Sequence, residues 1–286
     1  MNDDMKMIAS IILPVTLLIT GCGGSDGGDD PETEGTTATG YFLDNAEGLN
    51  YRAGEISGIT DSDGAFTYAV GEPIAFAIGD ITLGTASAGD AIITPVDLVL
   101  DAEDETNTQV ANIARLLQSL DDDGDYANGI SINSAVRVTA NRTMNISSMD
   151  RAEFGADDVQ LFFSSLMERT TSGSEFLISE SVARDNLRNS LIGILVGNYE
   201  GTFEGGDSGT FGFSIFGDGV IEGHAENLEG ETLFLNGEVN SDRTGAIGDV
   251  ESGASFDMVI AKDGTVSGTW ENPFYGISGS FTGAKN

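Results

Sequence analysis

The run Leu120-Asp121-Asp122-Asp123-Gly124-Asp125-Tyr126-Ala127-Asn128-Gly129-Ile130 sets acids at alternate positions, a spacing that can present several carboxylate oxygens to one divalent cation. Asp121, Asp123 and Asp125 match the first three ligands of an EF-hand loop, and Asn128 offers a fourth oxygen. The match covers only the first half. Tyr126 stands where such a loop turns on glycine, and Ile132 where it needs a bidentate glutamate. The residues just ahead read as a helix, and its negative dipole end disfavours each nearby carboxylate by a few tenths to ~1 kcal/mol. A bound Ca²⁺ would offset that cost; a solvated acidic turn is the competing reading.

Little else in the chain has the makings of chemistry. His224 is the only histidine, so a Ser-His-Asp triad would have to use it, and a histidine-cluster metal site is excluded by count. In the local alternation it shares the wetter side of its strand with Val220 and Glu222. The one G-x-S-x-G match, Gly23-Gly24-Ser25-Asp26-Gly27, lies in a polar stretch without the strand and helix of a nucleophile elbow. Carboxylate pairs are too common among 47 acids to argue glycosidase chemistry. No glycine-rich phosphate loop joins a strand to a helix. These features point away from an enzyme, with a hydrolase using His224 as the minimum catalytic alternative. Tyr199, Phe203, Trp270 and Phe281 could stack on an apolar ligand; filling a core is the plainer role for them.

Positioning these residues falls to three differently patterned regions. Residues 39–100 read as a small antiparallel β-module of short segments such as Gly40-Tyr41-Phe42-Leu43 and Ala65-Phe66-Thr67-Tyr68. The turn Asp61-Ser62-Asp63-Gly64 predicts a hairpin between its flanking runs. Residues 101–196 switch to helical spacing and carry the acidic loop. Thr106 with Gln109 predicts a capping box for the first helix, whose apolar face is Val110, Ile113, Ala114, Leu117 and Leu120. Val159, Phe162, Phe163, Leu166 and Met167 give a second amphipathic helix after Asp157 and Asp158. Val182, Leu187, Leu191, Ile194 and Leu195 give a third, from about Ser179.

Residues 197–286 alternate apolar and polar, with glycine too frequent for helices. Eight segments can be counted, including a weak one near residues 246–250. Short turns such as Gly217-Asp218-Gly219 and Lys262-Asp263-Gly264 join successive ones. An up-and-down barrel closes such a series without an edge, and an open meander is the alternative. The expected fold is therefore mainly β with a helical middle, ending in an eight-stranded β-barrel or meander.

The N-terminus frames all of this. A positive charge at Lys6, an apolar stretch from Ile8 to Ile19 and the small pair Thr20-Gly21 precede Cys22, the only cysteine. Those are the parts of a secretory signal, and the stretch falls short of the ~20 apolar residues a spanning helix needs. Cys22 in this setting resembles the cysteine of the bacterial lipobox, which is acylated and becomes the new N-terminus. That implies a signal peptide over residues 1–21 and a chain tied to a membrane by lipid, each buried methylene adding ~0.8 kcal/mol. Residues 22–38, rich in glycine and acid, read as a flexible tether. Gly23 rather than an aspartate after the cysteine favours the outer membrane over the inner. A formal net charge of -35 repels nucleic acid and anionic headgroups, arguing against both as electrostatic partners. One cysteine also leaves no internal disulfide.

From Gly40-Tyr41-Phe42-Leu43-Asp44, through Thr60-Asp61-Ser62-Asp63-Gly64-Ala65-Phe66-Thr67-Tyr68 and Ile93-Thr94-Pro95-Val96-Asp97-Leu98, to Asn112-Ile113-Ala114-Arg115-Leu116-Leu117-Gln118-Ser119-Leu120, the chain resembles a recurring module of proteobacterial envelope lipoproteins. The likeness spans roughly residues 39–191. Gly268-Thr269-Trp270 and Gly279-Ser280-Phe281-Thr282-Gly283 are similar to hairpins of the small eight-stranded barrels of surface lipoproteins. Together the resemblances imply a non-catalytic envelope lipoprotein that takes a lipid or other apolar molecule, accessory to uptake and working beside an envelope transport protein. A structural or adhesive surface module, partly ordered by Ca²⁺, is the alternative.

Overall fold

Period-two alternation in the last third of the chain folds as its pattern asks. The computed structural model describes residues 36–87, 89–249 and 251–286; Cys22, the expected signal peptide and the expected tether through residue 35 lie outside the described residues. The architecture is mainly β with a helical middle, a small N-terminal β-module and a closed C-terminal barrel of eight antiparallel strands. It divides into two compact units, one ending at Leu187 and the other Arg188–Asn286.

In the first unit, β1 (Thr37–Phe42), β2 (Asn50–Ala53), β3 (Ile56–Ile59), β4 (Ala65–Ala69), β5 (Ile74–Ile78), β6 (Ile81–Ala86) and β7 (Ile92–Ile93) come first. Helices α1 (Thr108–Ser119) and α2 (Ser134–Thr139) precede β8 (Met144–Asn145), and α3 (Arg151–Phe154), α4 (Asp157–Met167) and α5 (Glu180–Gly193) follow, α5 running past Leu187 into the second unit. The strands form two sheets, ordered β4-β1-β7 and β3-β2-β5-β6-β8, antiparallel except for the short β1–β7 and β6–β8 pairings. Phe42 on β1 and Phe66 on β4 meet Phe76 of the other sheet edge-on, at ring distances of 5.0 and 5.1 Å. Such edge-to-face contacts favour face-to-face burial of the two sheets.

Three local expectations need correction. The turn at Asp61–Gly64 forms, with Asp61 Oδ1 accepting the N–H groups of Asp63 and Ala65 at 3.0 and 2.9 Å. It does not make a hairpin, because β3 pairs with β2 and β4 with β1. Burying Phe66 and Tyr68 on the second sheet outweighs local pairing. The cap of α1 is Asn107, whose Oδ1 accepts from Gln109 and Val110 N–H; Thr106 bonds Asp104 instead. On α5, Val182 is exposed while Ala183, Asn186 and Leu187 are buried. A polar pair fixes that face: Asn186 Nδ2 donates to Gln118 Oε1 at 2.8 Å, and Gln118 Nε2 to the Ala183 carbonyl at 3.2 Å.

The second unit is the ring β9 (Gly197–Gly205), β10 (Gly209–Ile215), β11 (Val220–Asn227), β12 (Thr232–Val239), β13 (Thr244–Asp249), β14 (Ala254–Ile260), β15 (Thr265–Asn272) and β16 (Ile277–Lys285). Successive strands pair, and β16 returns to β9 with Phe281 opposite Phe203. Apolar members of the alternation point inward, while Glu200, Thr202 and Glu204 face out. A lipid-spanning barrel needs the reverse, so this wall faces water.

One end of the ring is stoppered by Ile192 and Leu195, which join its buried cluster. There the Tyr199 hydroxyl donates to the Leu195 carbonyl at 2.9 Å, and Lys285 Nζ to that of Ile194 at 3.1 Å. Burial pushes the Tyr199 phenol up to about 12 from its ordinary 10. A folded value above the unfolded one means this stabilisation is whole below pH 10 and disappears as pH climbs toward 12. At 1.36 kcal/mol per pKa unit the loss is roughly 2–3 kcal/mol. Tyr199→Phe keeps the ring without the ionisation, so its denaturant midpoint should stay flatter than wild type across that range. Parallel decline of both proteins would refute the assignment.

Candidate functional site

Seven aromatic rings occupy the barrel from end to end. Tyr199 stacks on Phe213 at 5.1 Å, Phe213 on Phe211 at 5.7 Å, and Phe211 meets Phe281 edge-on at 5.4 Å. Phe281 contacts Phe256 at 5.7 Å, and Phe203 lies edge-on to Trp270, also at 5.7 Å. Tyr199, Phe203, Trp270 and Phe281 are all buried members of this cluster, packed against other side chains. Phe203 and Trp270 sit toward the end opposite Tyr199, where the Trp270 indole N–H donates to the Glu204 carbonyl at 3.1 Å.

That end is the barrel's mouth, formed by the β9–β10, β11–β12, β13–β14 and β15–β16 turns. Leu228, Phe274 and Tyr275 stand at its tips with more than three quarters of their surface exposed. Leu233 and Ile277, on the same two hairpins, are half-buried and pack against the interior cluster. Phe274 leans over the β13–β14 turn, where a Cβ on Gly253 would lie 2.9 Å from its ring. Apolar surface thus continues from the filled interior onto the mouth. Sequence alternation had no means of finding these tips, since they lie in turns.

The acidic loop belongs to the other unit. Asp121 directly follows the α1 cap residue Leu120 and is buried. Its Oδ1 accepts the Ser131 N–H at 2.8 Å, and its Oδ2 is buried with no hydrogen-bond partner. Burial raises the Asp121 carboxyl above the usual carboxylate value; the Ser131 N–H opposes that, and the Asp123 charge adds to it. Asp123 is exposed, and the Asn128 amide at 3.0 Å holds its carboxyl below the usual range, helped by the Asp125 N–H.

Asp125 instead caps the short 3-10 turn Tyr126–Asn128 by accepting the Ala127 N–H. The Asp122 carboxylate is already engaged, accepting from Asn133 Nδ2 and the Thr171 N–H. The four predicted ligands therefore split: Asp121, Asp123 and Asn128 line one cleft of about 300 Å³, and Asp125 is absent from its wall. Glu47, Asn45 and Ser62 come to the same cleft from the β-module. Glu47 is brought there by a parallel bridge to Ser131, whose hydroxyl donates to Glu47 Oε2 at 3.2 Å. Nothing near Glu47 in the chain signals this. Among the described residues no three His, Cys, Asp or Glu side chains are gathered as metal ligands.

His224 lies exposed on the barrel's outer face, in register with Gly212 and Phe234. Among the described residues no helix is long and apolar enough to cross a membrane. Compared with models of protein families and with individually curated proteins, the chain matches none.

Proposed function

We propose that this chain is a non-catalytic envelope lipoprotein, anchored through acylated Cys22 to the outer rather than the inner membrane, that takes a lipid or other apolar molecule at the mouth of its barrel. The observation that carries the reading is the apolar surface running from the packed interior through Leu233 and Ile277 to the exposed Leu228, Phe274 and Tyr275. Exposed Phe, Tyr and Leu at turn tips gain most by transfer from water to an apolar partner, at about 25 cal/mol per Å². The polar outer wall keeps the barrel itself in water, with an envelope transport protein as the receiver of its cargo.

Native mass spectrometry of the full acylated protein tests it. A long-chain fatty acid or phospholipid adduct is expected on wild type and should fall at least fivefold in the doubly substituted Phe274→Ser, Tyr275→Ser protein. Both side chains are exposed, so the fold should survive the change. Absence of any adduct, or an adduct insensitive to the double substitution, overturns the reading.

The filled interior favours a second reading, a structural or adhesive surface module. Protease treatment of whole cells that cleaves the protein, with no lipid adduct, would support it.

A further inference from the structure

Asp121 is the one feature of the acidic cleft that its own hydrogen bonds do not explain. A carboxylate in this position carries several costs together. It is almost fully buried, with 1% of its surface exposed. It stands at the negative end of α1, where a carboxylate is disfavoured. Its Oδ2 has no donor, and the neighbouring Asp123 charge adds to the cost of ionising it. A buried anionic oxygen left unpaired is among the more costly arrangements in a protein. Ser131 holds Oδ1, which fixes the side chain at the wall of the cleft, with Oδ2 covered and unpaired.

We infer that this cleft is a Ca²⁺ site built on Asp121 and Asp123, with the Asn128 side-chain oxygen and bound water completing the shell and Glu47 acting through water from the opposite wall. Ca²⁺ takes six to eight oxygens in flexible geometry and accepts amides, carbonyls and waters beside carboxylates. Two converging carboxylates and a cleft with room for several waters therefore suffice. Mg²⁺ demands a tighter octahedron and fits less well. The amide of Asn128 now donates to Asp123 Oδ2; turning it over exchanges donor for acceptor at the same place. The ligand set differs from a linear EF-type loop in two respects: Asp125 is spent on capping, and Glu47 is recruited from the β-module. A cation here would bind segments 44–47, 121–123 and 128–131 to one another.

Calorimetric titration of the chelator-treated full chain with CaCl₂, beside thermal melting with CaCl₂ or MgCl₂, decides the matter. One Ca²⁺ per chain is expected, with a melting point raised by several degrees and a smaller rise with Mg²⁺. D121N and D123N should each weaken Ca²⁺ at least tenfold, E47Q by less, and D125N hardly at all. Asp123 is exposed, so D123N reports even where D121N fails to fold. No heat and no melting shift in wild type would overturn the site. Loss of binding in D125N equal to that in D123N would overturn this ligand set in favour of the linear loop.

Discussion

Phe256→Ala should destabilise the barrel by about 3–5 kcal/mol, the usual range for emptying a buried phenylalanine position. Phe256 is central to the aromatic chain, touching Phe203, Trp270 and Phe281 at ring distances of 6.4, 6.3 and 5.7 Å. Hydrogen-bonded walls on every side prevent collapse into the space, which puts the cost toward the upper part of that range. Trp270 is the only tryptophan in the chain and lies against Phe256, so its fluorescence during urea unfolding reads this unit selectively. The emptied site should also bind a small aromatic such as benzene, which the filled wild-type interior excludes. A loss below about 1 kcal/mol would mean that the rings are not tightly packed.

Gly279→Ala should cost about 3 kcal/mol, the high end for overpacking, because the obstruction is backbone. A Cβ at this position would lie 1.8 Å from the Glu204 carbonyl oxygen and 2.6 Å from Trp270 Nε1. That carbonyl also accepts the indole N–H, so strand and ring must both shift. The Trp270 emission should move to longer wavelength as the indole loses its partner and meets water. Gly217→Ala is the control: a Cβ there has nothing within 4 Å, and its effect should stay within ±0.5 kcal/mol. Equal effects of the two substitutions would show that backbone approach at Gly279 is not the cause.

The barrel was legible because each of its strands repeats one physical rule. Tyr199 and Phe203, Phe211 and Phe213, and Val266 and Trp270 each fall on alternate positions, and any register that buries one buries the others. The helices were legible for the same reason at a different period, as with Val159, Phe163 and Leu166 on α4. What escaped was set by partners distant in sequence. The pairing of β4 with β1 rather than β3 depends on Phe76 in another sheet. The buried Gln118–Asn186 pair is invisible to a reading that scores only apolar spacing. At the acidic loop, spacing grouped Asp121, Asp123, Asp125 and Asn128, of which Asp121, Asp123 and Asn128 line one cleft. It could not show that Asp125 is consumed by a local turn or that Glu47 arrives across a parallel bridge. The tips Leu228, Phe274 and Tyr275 follow from which turns share an end, which is topology rather than pattern.

Closing the ring through β16 and β9 sets the order in which this unit can be assembled. Tyr199 must meet Lys285, and Phe203 must meet Phe281, across the full length of the intervening strands. Contacts so far apart in sequence are slow to form, because chain entropy is surrendered before they reward it. Until the last strand docks, β9 and β15 each offer a bare row of amides and carbonyls to any neighbouring polypeptide. Dilution, or a holding chaperone, should therefore raise the refolding yield of Arg188–Asn286 more than that of residues 36–187.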